Sequence, residues 1–115
     1  MRQSDSGSLY GTVNLLILKT VSRGPDHGLG IARRVLKASN EALQIEEGAL
    51  YPALHRLERD GLLHSSWGVS ASNRRAKFYE LTPKGELALG REVEMWVTRA
   101  RAICEVLEVS WPATT

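Results

Sequence analysis

Cysteine is almost absent from this chain: Cys104 is the only one. An internal disulfide is therefore impossible, and a zinc site built on cysteine pairs is excluded. Long apolar runs are missing as well, so no segment reads as a helix that spans a bilayer. The polar start, Met1-Arg2-Gln3-Ser4-Asp5-Ser6-Gly7-Ser8, lacks the apolar core of a secretion signal. These absences predict a cytoplasmic protein with no membrane partner. Histidines are few: His27, His55 and His64 have neither the spacing nor the neighbouring carboxylates of a metal site. Gly28 and Gly30 open a helix without the remainder of a phosphate-binding loop. No nucleophile elbow or cysteine–histidine arrangement is recognisable. The expectation is a chain with no enzymatic activity, no cofactor and no metal.

Net charge is also small, at +2 over 115 residues, so composition alone does not mark a nucleic-acid binder. A chain of this length is most simply one domain with a modest core. Its charge is unevenly placed, however. Across residues 64–84, Arg74, Arg75, Lys77 and Lys84 face only Glu80. Across residues 86–108 the balance turns, with Glu86, Glu92, Glu94, Glu105 and Glu108 against Arg91, Arg99 and Arg101. A basic middle and a mildly acidic end imply surfaces with different tasks.

The chain is organised around residues 46–63. Leu50, Leu54 and Leu57 recur at helical spacing and share one side. The opposite side carries Gly48, Pro52, His55 and Arg59, with Tyr51 and Arg56 on its flanks. One buried seam opposite a basic, small-residue face suits a helix that enters a DNA major groove, although the segment by itself fits an ordinary amphipathic surface helix. Gly61 supplies a left-handed stop. Pro52 predicts a helix that begins late, near Gly48, so that the proline falls within about its first turn, or one slightly distorted at its start.

Around this stretch the other elements fall into order. Residues 1–8 read as a flexible lead. Val13, Leu16, Ile17 and Val21 line one side of a first helix, widened by Leu15 and Leu18. Gly24-Pro25 ends it, and Asp26 is a candidate cap for a second helix over residues 27–40. In that helix Ile31, Val35 and Leu36 face inward, and Arg33, Arg34 and Lys37 face out. After Gly61, two aromatic-bearing segments flank the polar stretch Gly68-Val69-Ser70-Ala71-Ser72-Asn73-Arg74-Arg75, which reads as a β-hairpin with a longish loop. Thr82-Pro83 starts a last helix. In it Val93, Trp96, Ala100, Ile103 and Leu107 are spaced three, four, three, four, and Val97 and Cys104 widen the stripe. Such a seam needs a partner, most simply the same helix of a second chain. The predicted fold is mainly α with a small β-hairpin: a winged helix-turn-helix over residues 9–82, a dimerisation helix over residues 83–109 and a loose tail over residues 110–115.

Four motifs then carry a resemblance. Gly11-Thr12-Val13-Asn14-Leu15-Leu16-Ile17-Leu18-Lys19, His27-Gly28-Leu29-Gly30-Ile31, Glu46-Glu47-Gly48-Ala49-Leu50-Tyr51-Pro52-Ala53-Leu54-His55-Arg56-Leu57-Glu58 and Asn73-Arg74-Arg75-Ala76-Lys77-Phe78-Tyr79-Glu80-Leu81-Thr82 resemble the PadR family of transcriptional regulators. The single C-terminal helix is similar to that of the family's short subgroup. The resemblance implies a bacterial, homodimeric transcription factor, most often a repressor, whose partner is double-stranded DNA with a pseudo-palindromic operator. It places Gly48, Ala49, Tyr51, Pro52, His55 and Arg56 on the recognition helix, and Asn73, Arg74, Arg75 and Lys77 on the wing. It also implies a small aromatic effector near the dimer interface, where Trp96 is the matching aromatic. The alternative is a winged-helix module for protein contact, which needs no arginines on its wing.

Overall fold

The computed structural model describes the backbone of residues 3–112 and the side chains from residue 12 onward. Four helices and a small sheet follow one another as α1 (Gln3–Ser22), β1 (Asp26–His27), α2 (Gly28–Ala38), α3 (Glu47–Arg59), β2 (Leu63–Val69), β3 (Arg75–Leu81) and α4 (Pro83–Leu107). Three apolar seams meet in one core. Val13, Ile17, Leu18 and Val21 come from α1, Ile31 and Val35 from α2, and Leu50, Ala53, Leu54 and Leu57 from α3. Ile45, Leu63 and Tyr79 close it. Each large aliphatic side chain fully buried here contributes about 1.5–3 kcal/mol.

The helices start and stop for identifiable reasons. At the end of α3 the Gly61 N–H donates to the Glu58 carbonyl (3.0 Å) and the Leu62 N–H to the Leu57 carbonyl (2.9 Å), with Gly61 at φ +81°. This is the Schellman closure that a glycine permits, and it turns the chain directly into β2. Thr82 caps α4, its hydroxyl accepting from the Gly85 N–H at 3.0 Å, and Pro83 takes the first helical position. The Thr82 N–H donates to the Leu62 carbonyl at 3.1 Å. The base of α4 is thereby fastened to the root of the hairpin.

Several details differ from the sequence expectation. α1 already begins at Gln3, so residues 3–8 lie within a helix and not ahead of it. The cap of α2 is His27, whose Nδ1 accepts from the Gly30 N–H at 3.2 Å. Asp26 instead accepts from the His27 N–H at 2.8 Å and pairs with Arg34 at 3.4 Å. Arg34 does not face out: its guanidinium also donates to the carbonyls of Thr20 (2.9 Å) and Gly24 (3.2 Å) and so ties the end of α1 to β1. α3 starts at Glu47, which makes Pro52 its sixth residue. The proline therefore lies past the first turn, and the Gly48 carbonyl loses its helical donor. Gly48 and Pro52 are both exposed, which leaves that carbonyl within reach of water.

The sheet has the order β1-β3-β2, all antiparallel. The two-residue strand β1, absent from the sequence reading, pairs Asp26 with Tyr79 and His27 with Phe78. β2 and β3 form the wing. Their connection is tighter than expected: the Ser70 N–H donates to the Arg74 carbonyl and the Asn73 N–H to the Ser70 carbonyl, both at 2.8 Å. Ala71, Ser72 and Asn73 thus make a three-residue turn with Asn73 at φ +64°, a conformation asparagine tolerates better than most residues.

Candidate nucleic-acid interface

The exposed side of α3 is built by default, because Leu50, Ala53, Leu54 and Leu57 consume the other side. Gly48, Tyr51, Pro52 and His55 are exposed on it, whereas Ala49 and Arg56 lie at its boundary and are half-buried. Arg59 joins the same face further along. Tyr51 has a fixed seat. Its ring lies against Gly28 at the start of α2, where a Cβ would stand 2.8 Å from Tyr51 Cε1. A side chain at residue 28 would displace the tyrosine.

Between this helix and the wing runs an open cleft. Its lining includes Tyr51, the α2 start at His27 and Gly28, and the four cationic side chains Arg33, Arg74, Arg75 and Lys77, with no carboxylate among the lining residues. In the register of the hairpin, Trp67 opposes Lys77 and Val69 opposes Arg75. These four project on the sheet face that Leu63 and Tyr79 continue into the core. The Arg75 guanidinium lies 4.3 Å from the Trp67 ring centroid, a cation–π contact that fixes its direction. Arg74 is exposed at the turn. Asn73 forms the turn itself, and Ser70 Oγ accepts from the Arg74 N–H at 3.3 Å.

Lys77 is differently engaged. Its Nζ is 3.5 Å from Glu58 Oε1 on α3, and Ser65 Oγ donates to Glu58 Oε2 at 2.5 Å. The Ser65 hydrogen bond, helped by the Lys77 and His55 charges and opposed by partial burial, holds the Glu58 carboxyl below its ordinary range. Behind it, burial and the Glu58 charge push the Tyr79 hydroxyl up, so it stays neutral. A depressed carboxylate contributes stability that is fully present above about pH 5 and is lost as pH falls through its folded value. Wild-type protein should therefore be more stable than Glu58→Gln at neutral pH. That difference should shrink on acidification, as chemical denaturation at a series of pH values will read.

Among the described residues the apolar stripe of α4 is largely exposed. Val93, Trp96, Ile103 and Leu107 are exposed, and Val97 and Ala100 are half-buried. Trp111, expected in a loose tail, instead folds back to within 6.4 Å of Trp96, ring centre to ring centre, with Arg101 at 5.4 Å from it. Residues 113–115 of that tail lie outside the described residues. Among the described residues no group of histidine, cysteine, aspartate and glutamate could hold a metal, and no helix is long and apolar enough to cross a membrane.

Three helices, a hairpin wing and a basic cleft between wing and third helix define a winged helix-turn-helix protein. The comparisons with known proteins narrow that class. The chain matches the transcriptional regulator PadR-like family over residues 17–91 and belongs to it. It is 38% identical over 77 residues to the transcriptional regulator Rv3488 of Mycobacterium tuberculosis, covering 67% of this chain and 68% of that one. Among solved structures it resembles a transcriptional regulator from Clostridium thermocellum (TM-score 0.77, 27% identity, 86% of this chain and 96% of the other). It also resembles a PadR family regulator from Eggerthella lenta (TM-score 0.71, 28% identity, 94% and 93%). Family membership makes the chain a transcriptional regulator and implies that it binds DNA.

Proposed function

We propose that the protein is a homodimeric, sequence-specific DNA-binding repressor of the bacterial cytoplasm. The observation that carries DNA contact is the cleft between α3 and the wing, whose lining includes Arg33, Arg74 and Arg75 beside the Glu58-paired Lys77 and holds no carboxylate. A phosphate backbone fits that charge. In this reading the exposed face of α3 enters the major groove, where Tyr51 and His55 reach base edges. The arginines of the wing turn toward the neighbouring minor groove, whose narrow A·T segments attract them. Arg33 and the start of α2 hold phosphates and so set register. A winged helix used only for protein contact has no need of this charge.

The largely exposed stripe of α4 supports a second copy as partner, which would place two α3 helices about 34 Å apart on a pseudo-palindrome. A small aromatic effector beside Trp96 would alter that distance without touching DNA. The repressor sign rests on the family resemblance.

Binding to its own upstream DNA, beside a scrambled duplex and across a salt series, tests the reading. A duplex selected from a random pool serves equally well. The expected result is a preference of at least about 1,000-fold for the specific duplex, with affinity falling steeply as salt rises. Equal, weak binding to every duplex, with no sequence enriched by selection, would sink the proposal.

A further inference from the structure

Glu58 occupies an unusual place in this arrangement. It is a carboxylate at the root of a cleft whose lining is cationic, and its two oxygens reach two different strands. Oε2 accepts from Ser65 of β2, and Oε1 stands 3.5 Å from Lys77 of β3. Ser65 pairs with Tyr79 and Trp67 with Lys77, so Ser65 and Lys77 are diagonal neighbours on one sheet face. One side chain of α3 therefore straps both strands of the wing. Glu58 and Lys77 are about two-thirds withdrawn from solvent, at 32% and 37% side-chain exposure, which weakens the screening that makes exposed pairs nearly worthless.

On the proposed DNA-binding reading, we infer that Glu58 is a positioning residue: by holding Ser65 and Lys77 it sets the angle between recognition helix and wing, and with it sequence discrimination. The lever is long. From Lys77 to the turn at Asn73 is four residues, or about 13 Å of strand. A tilt of about 10° at the strap moves the turn by about 2 Å and Arg74 beside it by nearly as much, enough to break a hydrogen bond to a base or phosphate. The same pair also restrains Lys77. Lys77 lines the cleft yet its ammonium is already matched by a carboxylate, so it adds little to indiscriminate attraction. The wing then contacts DNA through Arg74 and Arg75, while Lys77 acts through Glu58.

The test compares wild type, Glu58→Gln, Lys77→Gln and the double variant on a duplex selected by the wild type and on a scrambled duplex, each across a salt series. Glu58→Gln keeps the shape and the acceptor for Ser65, and circular dichroism confirms the fold of each variant. Glu58→Gln is expected to lower the ratio of specific to nonspecific affinity about tenfold. Freed Lys77 should steepen its nonspecific salt dependence by about one counterion. Lys77→Gln should lower the same ratio, and the double variant should be no worse than either single one, the mark of two residues acting as a unit. A Lys77→Gln variant that loses affinity equally for both duplexes, or a Glu58→Gln variant that keeps the wild-type ratio and slope, overturns the inference. A wild type that enriches no sequence overturns the DNA-binding proposal instead, so the two failures are distinguishable.

Discussion

Replacing Arg74 and Arg75 together by glutamate is expected to weaken binding to the selected duplex by more than about 100-fold near physiological salt. Each arginine removed from a phosphate gives up close to one released counterion, and each glutamate adds repulsion, so the salt slope should fall by about two or more. Stability should change little, because both side chains are exposed and exposed substitutions are usually worth about 0.5 kcal/mol or less. The cation–π contact of Arg75 with Trp67 adds about 0.5–1 kcal/mol at most. The single variants separate the contributions. Arg74→Glu removes charge alone, whereas Arg75→Glu also releases the Trp67 ring, which fluorescence can follow. Fluorescence-anisotropy titrations settle the matter: a double variant that binds within threefold of wild type means that the wing does not carry the DNA contact.

The second large effect concerns stability. Gly85 lies in the first turn of α4, and a Cβ built there would stand 2.2 Å from the Leu62 carbonyl oxygen and 2.8 Å from Leu81 Cδ1. The carbonyl cannot simply retreat, because it accepts the Thr82 N–H at 3.1 Å. Gly85→Ala must therefore separate α4 from the root of the hairpin. We expect a loss of about 2–4 kcal/mol, or a Tm lower by roughly 10–20 °C. Gly90 provides the control. It lies in the same helix with nothing within 4 Å of the corresponding position, so Gly90→Ala should gain up to about 1 kcal/mol from helix propensity. Opposite signs for one substitution, five residues apart, are the expected outcome of thermal melts. Similar behaviour of the two variants would show that the close approach at Gly85 is not tight.

Local patterns explain why so much of the fold was legible in the sequence. Leu50, Leu54 and Leu57 fix α3 because a helix repeats every 3.6 residues. Thr82-Pro83 and Gly61 mark ends whose chemistry is written in one or two residues. What escaped depends on contacts distant in sequence. β1 is too short to show periodicity and exists because Tyr79 and Phe78 offer it an edge. His27 caps α2 in place of Asp26, because Arg34, eight residues on, draws the aspartate away. Lys77 read as a wing cation alongside Arg74 and Arg75, whereas its pairing with Glu58 spans nineteen positions of chain. The positions of Tyr51, Arg74 and Arg75 around one cleft follow from α3 and the hairpin once these are placed. Arg56, assigned to the exposed face of α3, is half-buried at its edge, since a helical wheel does not show how far neighbouring elements overlap a flank.

The last helix has a consequence for how the molecule behaves in solution. Gly85 and Ala88 are its buried residues, and from Gly90 to Leu107 none is buried, an arm of about 27 Å at 1.5 Å per residue. A helix of that length standing alone is marginal in water. In the proposed dimer a second copy covers its apolar side and so contributes to its folding, and that contribution follows mass action. Amide protons of the arm should then exchange faster as the protein is diluted, while those of Leu50 and Leu54 keep their protection. Dilution would loosen one end of this chain and leave the other intact.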